Sequence, residues 1–196
     1  MQSNPRVEST LVVGSDYLSL FSDPDDAVTY GNFGDAACAV ILEKTKENTG
    51  FIDASYRTET TEIDGLVFPH TGLSNFLTNP SSTPYIKEVS KPKDTMPETF
   101  MLFDDLLFDH GMTMDDIDYI APSQSVFKNV ERIREQYSLN PSQMLYIGDR
   151  YGYTAVTSPI LALYEGIQSG KVKRGDQVLF YTIGTGHVII AMLFKY

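Results

Sequence analysis

Hydrophobic positions fall along this chain in two rhythms. Leu11 to Gly14 and Ala36 to Leu42 are short apolar runs, one closed by a glycine and the other ending in clustered Val and Ile. Their length predicts buried strands rather than helices. Between them, Asp23-Pro24-Asp25-Asp26 is turn chemistry, because the Asp side chains can bond the following backbone and proline presets φ. Residues 43–96 lose clear periodicity and are rich in Thr, Ser, Asn and Pro, notably Asn79-Pro80-Ser81-Ser82-Thr83-Pro84. They predict about two strands and then a long variable loop over 57–96. From Pro97 the spacing turns helical: Phe100, Phe103, Leu106 and Leu107 share one face, and Gly111 stands just past the end. A strand over Ile117 to Ala121 and a Pro122-Ser123-Gln124-Ser125 turn lead to Val126, Val130, Ile133 and Tyr137, the face of an amphipathic helix. Ser158 and Pro159 suit the N-cap and first turn of a helix over Ile160 to Gln168, closed by Gly170 and apolar around much of its circumference. Gln177 to Ile183 and Val188 to Phe194 flank Gly184-Thr185-Gly186-His187 and predict an antiparallel hairpin. Alternating strands and helices closed by a hairpin define a layered α/β domain with a mixed sheet.

Composition narrows the setting. The 196 residues fit a single domain over 1–196. With 15 Lys+Arg against 26 Asp+Glu the net charge is -11, which argues against nucleic acid or an anionic membrane as principal partner. Cys38 is the sole cysteine, so no internal disulfide framework exists. Met1 to Arg6 has neither a basic nor an apolar signal region, and no apolar run is long enough to span a bilayer, so the expected location is cytoplasmic. No GxGxxG, Walker loop, CxxC pair or HExxH is present, and no cofactor or metal is expected. Asp104-Asp105 and Asp115-Asp116 suit helix solvation and capping.

Three segments, Asn32 to Ala39, Ile120 to Ser125 and Arg150 to Ser158, together resemble the β-ketoacyl-acyl-carrier-protein synthase III family of the thiolase-like superfamily. Asn32-Phe33-Gly34-Asp35-Ala36-Ala37-Cys38-Ala39 is similar to that family's phenylalanine-glycine-aspartate-glycine-alanine-glycine-alanine strand entry. Ile120-Ala121-Pro122-Ser123-Gln124-Ser125 stands where the family has proline-histidine-glutamine-alanine-asparagine. Arg150-Tyr151-Gly152-Tyr153-Thr154, followed by Thr157-Ser158, stands where it has glycine-asparagine-threonine and a serine. Tyr153 follows Ser123 by 30 residues, the family's spacing of catalytic His and Asn. The resemblance implies a C-terminal half: members carry two similar five-stranded α/β halves, the first bringing a cysteine nucleophile and the second the His and Asn. The chain is expected to begin where that second half begins, with a five-stranded mixed sheet, flanking helices and a C-terminal hairpin.

The resemblance also assigns the site. Ser123 and Tyr153 take the His and Asn positions, and Gly184 takes the backbone oxyanion-hole position. Gln124 is retained, with a hydrogen bond that fixes the turn as its expected role. Lys128 stands where the family has an arginine that contacts the carrier protein or the phosphate of coenzyme A, and Arg132 and Arg134 extend that basic stretch. Cys38 lies in the strand entry, not at the nucleophile position, and is expected to be a small buried hydrophobe. Serine lacks a group that titrates near neutral pH, so decarboxylative condensation as the family performs it is not expected of the chain alone. His70 and His187 are expected at the surface. Three readings stay open: part of a condensing enzyme completed by a cysteine-bearing half, with an acyl-carrier protein or coenzyme A thioester as partner; a non-catalytic homodimeric scaffold; and a non-decarboxylative acyltransferase served by a partner's cysteine. The first two rest on an apolar face of the Ile160 to Gln168 helix being left uncovered.

Overall fold

The computed structural model describes residues 4, 6–60, 65–79, 81–88, 93–184 and 186–196. Met1, Pro80 and Thr185, which figured in the sequence reading, lie outside the described residues. Strands β1 (Ser9–Tyr17), β2 (Asp35–Glu43), β3 (Gly50–Thr58), β4 (Leu66–Val67), β5 (Lys87–Glu88), β6 (Tyr119–Pro122), β7 (Gln177–Gly184) and β8 (Val188–Lys195) alternate with helices. The helices are α1 (Ala27–Asn32), α2 (Leu73–Thr78), α3 (Met96–Asp109), α4 (Phe127–Gln136), α5 (Gly148–Tyr151) and α6 (Ser158–Gln168).

The main sheet runs β3-β8-β7-β6, with β6 parallel to β7 and the other pairs antiparallel. Its two faces are built by the period-two alternation of strand side chains. Ile120 and Leu179 face α3 and α4, in a core with Phe103, Leu107 and Ile133. Tyr119, Ala121 and Val178 face the other way, against Leu163 and Ile167 of α6. A layer of α3 and α4, a sheet and a layer of α6 result. Gly166 lets α6 approach closely, since a Cβ there would sit 2.9 Å from the Tyr119 ring. The Tyr119 hydroxyl then donates to the Ala162 carbonyl at 2.8 Å.

The mixed sheet has four strands among the described residues, not the expected five. β1 and β2 pair only with each other, in register from Ser9↔Glu43 to Tyr17↔Asp35. A strand-sized apolar run does not encode its partner, and these two satisfy one another's backbone groups over their full length. Ser158 is also displaced from its expected cap. A 3-10 turn over Ala155–Thr157 runs directly into α6, so Ser158 is the first helical residue and Pro159 lies in the first turn. The 57–96 region holds the small β4–β5 ladder and α2 in place of a continuous loop. No helix among the described residues is long and apolar enough to cross a membrane.

The β1–β2 hairpin is fastened to the rest at one crossing of backbones. Gly34 N–H donates to the Tyr153 carbonyl at 2.9 Å, and Tyr153 N–H donates to the Asn32 carbonyl at 2.7 Å. A Cβ on Gly34 would lie 1.8 Å from the Tyr151 carbonyl oxygen, a distance no side chain tolerates. Gly34→Ala is therefore expected to destabilise the fold by about 1–3 kcal/mol, as overpacking does. Urea denaturation checks this, and an unchanged midpoint would mean that the two segments do not meet so closely.

Candidate active site

Residues around positions 123 and 153 reach one place from three directions. β6 ends at Pro122, and the Ser123 N–H donates to the Tyr181 carbonyl at 2.7 Å, so the edge of the sheet carries Ser123 inward. Ser123 is 4% exposed, and its hydroxyl has no hydrogen-bond partner among the described residues. Tyr153 arrives on the loop after α5, held by the crossing with Asn32 and Gly34. Burial pushes its phenol above the usual range, and the nearby Ser123 hydroxyl pulls it part of the way back. The two side chains are thus neighbours, but Ser123 does not reach full hydrogen-bond geometry. Asp16 on β1 lies close enough for its charge to push the same phenol up, while its carboxylate accepts from the Thr157 N–H at 3.2 Å. Tyr181 stands beside the pair, its hydroxyl 3.4 Å from Thr99 Oγ1.

Gln124 is 1% exposed, and its amide is spent on backbone. Nε2 donates to the Pro122 and Leu145 carbonyls, each at 3.2 Å, and Oε1 accepts from the Ile147 N–H at 3.0 Å. It positions the turn, with both amide atoms bonded to backbone. The basic stretch on α4 is likewise largely committed. Arg132 makes a two-pronged pair with Asp94 at 2.7 and 2.9 Å, and Arg134 turns inward to the Met144 carbonyl. Lys128 is exposed on the same helix.

An open cavity of about 1380 Å³ lies beside Tyr153. Tyr153 forms part of its wall, with Ser125 and Phe127 on one side and Ile183, Gly184 and His187 from the β7–β8 hairpin on another. A Cβ at Gly184 would meet nothing nearer than 3.8 Å, so packing does not demand glycine there. His70 and His187, expected at the surface, both border the cavity and are partly buried. Cys38 is partly exposed and turned toward Gly14, where a Cβ would lie 3.4 Å from its sulfur. It does not line the cavity. Sequence reasoning missed Asn32, whose side-chain amide donates to the Ser125 carbonyl at 3.1 Å, and Asp16. The residue pairs involved are far apart in the chain, so no local pattern marks them. Among the described residues no cluster of His, Cys, Asp or Glu could hold a metal ion.

Comparison with known proteins gives the class and then the family. The solved 3-oxoacyl-[acyl-carrier-protein] synthase III of Aquifex aeolicus superposes with a TM-score of 0.83 at 23% identity, over 96% of this chain and 58% of that one. The priming β-ketosynthase of the R1128 polyketide pathway superposes with 0.84 at 18% identity, over 96% of this chain and 57% of that one. The fold is that of the thiolase-like condensing enzymes. Residues 107–196 match the family model of the 3-oxoacyl-[acyl-carrier-protein] synthase III C terminal, and residues 1–60 match that of 3-oxoacyl-[acyl-carrier-protein] synthase III. The β-ketoacyl-[acyl-carrier-protein] synthase III of Sodalis glossinidius is 30% identical over 187 residues, and that of Rickettsia rickettsii 26% over 185. These alignments take in 93% and 94% of this chain but 57% of each relative. The chain is 3-oxoacyl-[acyl-carrier-protein] synthase III-like and spans just over half the length of these relatives.

Burial raises the pKa of Tyr119, Tyr137, Tyr153 and Tyr181. The fold keeps phenolic protons that the unfolded chain gives up near pH 10, so their contribution is complete below that pH and is lost as pH rises toward the folded values. Stability should therefore fall above about pH 10. Tyr153→Phe should make that fall shallower, as read from urea midpoints across pH 8–11; an unchanged slope would show that this phenol is not sequestered.

Proposed function

We propose that this chain supplies the non-nucleophilic wall of a synthase III-type acyl-transfer site and does not catalyse decarboxylative condensation by itself. The observation that carries this reading is the Ser123–Tyr153 pair, of which Tyr153 lines the cavity. Loss of carbon dioxide from a malonyl thioester leaves an enolate that must be met by hydrogen-bond donors placed in advance. Ser123 and Tyr153 keep their protons near neutral pH, Tyr153 all the more because burial raises its pKa, so the pair has no acid–base group to serve the reaction there. Cys38 does not line the cavity, so the acyl-carrying nucleophile has to come from elsewhere. A cysteine-bearing half, on the same polypeptide or a separate one, is the partner this reading requires. With Arg132 and Arg134 committed, Lys128 is the cation on α4 left to meet an acidic carrier protein or a coenzyme A phosphate. A non-decarboxylative transfer, in which a partner's acylated cysteine is attacked by a hydroxyl or amine, makes no demand for enolate stabilisation and suits the same pair.

One observation favours the homodimeric scaffold as second reading. On the outer face of the β1–β2 hairpin Leu11, Val13 and Ile41 are 63%, 63% and 67% exposed. Exposed apolar area of this kind marks an interaction surface. The uncovered face expected on α6 is not where the exposure lies, because Ile160, Leu161, Leu163 and Ile167 are all partly buried.

The chain alone, incubated with malonyl and acetyl thioesters, is expected to release no carbon dioxide above the uncatalysed rate; measurable release would sink the proposal. Light scattering separates the two readings of the hairpin. A one-to-one complex with a cysteine-bearing half supports the completed enzyme, and a stable dimer indifferent to that half supports the scaffold.

A further inference from the structure

The cavity beside Tyr153 exposes apolar surface that the fold itself does not use. Val28, Phe127 and Val156 line it and are 66%, 45% and 64% exposed. Large apolar side chains gathered on a concave wall mark a place where an apolar group binds. The aromatic part of that wall comes as two packed pairs. Phe127, at the start of α4, meets Tyr146 with ring centroids 4.7 Å apart and planes at 56°, and Phe33 meets Tyr153 at 6.3 Å and 52°. All four rings border the cavity. The backbone holds both pairs in place. A Cβ on Gly148 would lie 2.6 Å from Tyr146 Cζ, so glycine leaves room for that ring against the chain, while the Gly34–Tyr153 crossing fixes the other pair. Rings that are already held lose little freedom when a ligand arrives, which favours a ligand whose shape and surface match them.

We propose that this cavity selects an aromatic acyl group, a benzoyl-type thioester, over an aliphatic one of equal size, with Phe127 and Tyr146 as the specificity-determining contact. The inference rests on the reading of the cavity as an acyl-transfer site and names the class of acyl group it takes. Size does not make the choice, because about 1380 Å³ admits either group. Ring chemistry does: a tilted pair leaves ring face and edge turned away from its partner, and a third ring set against them gains an electrostatic match that a saturated ring of the same area lacks. Phe127 is the ring with the most surface to offer, since Phe33, Tyr146 and Tyr153 are more deeply buried.

Benzoyl-coenzyme A and cyclohexanecarbonyl-coenzyme A are the probes, because they carry rings of the same carbon count on the same carrier and differ in the π system. Titrated calorimetrically into the full chain, the benzoyl ester is expected to bind about three- to tenfold more tightly, the range that one good ring contact supplies. Phe127→Leu keeps an apolar side chain and should bring the two affinities within about twofold of each other, by weakening the benzoyl ester alone. Nuclear Overhauser contacts between the benzoyl protons and the rings of Phe127 and Tyr146 are expected in the wild type, and they decide the matter if Phe127→Leu fails to fold. Equal affinity for the two esters in the wild type, or tighter binding of the cyclohexane ester, overturns the aromatic preference and leaves the acyl cavity standing. Absence of binding of either ester to the wild type overturns both.

Discussion

Everything at the candidate site hangs on two glycines that let two backbones touch. Gly34 and Gly152 bring the segment before β2 against the loop after α5, and a Cβ on either would press into the other's main chain, at 1.8 Å from Tyr151 O and 3.0 Å from Asn32 O. The two hydrogen bonds formed there fix Tyr153, and the Asn32 side chain reaches across to the Ser125 carbonyl beside Ser123. Asp16 adds a further tie through Thr157. The hairpin therefore acts as a brace that sets two loops from the other end of the chain. Its own sheet adds little to the main core, which is closed by α3, α4 and α6.

The interior behind the cavity is furnished with hydroxyls instead of titratable bases. Ser123, Thr99, Thr154, Thr157 and Ser158 are all buried, together with the phenol of Tyr181. Such groups satisfy one another at modest cost because they are neutral, and several do: Thr157 Oγ1 donates to the Thr154 carbonyl and Thr99 Oγ1 to the Thr95 carbonyl. Charge stays outside. Arg150 and Tyr151 clasp Glu165, Arg132 holds Asp94, and Arg174 holds Glu47. A chain with an acidic balance has thereby used most of the arginines that an acidic partner could have met.

Legibility in the sequence followed the length over which a pattern repeats. α3 was readable because four apolar residues share a face over fourteen positions, and the Thr113–Asp116 capping box shows the acidic pairs doing the capping their composition suggested. The β7–β8 hairpin was readable because two alternating runs flank a glycine-rich turn. β4, β5 and α2 were not, since two- and six-residue elements contain fewer than two full periods of their own rhythm. The strand count went wrong for another reason: β1 and β2 look as buried as any core strand in composition, yet Leu11, Val13 and Ile41 face outward.

By itself the sequence determined the class of fold, the spacing of Ser123 and Tyr153, and the glycine that the strand entry needs, because each depends on residues close together or on a motif kept in order. Only the tertiary structure decided that Ser123 and Tyr153 become neighbours, that Gln124 and Arg132 are spent on the protein itself, and that His187 comes to line the cavity. The physical reason is range. Propensity and periodicity act over a few residues, whereas Asp16 meets Thr157 across 141 positions and Asn32 meets Ser125 across 93, and no local preference encodes which distant backbone group a side chain will find.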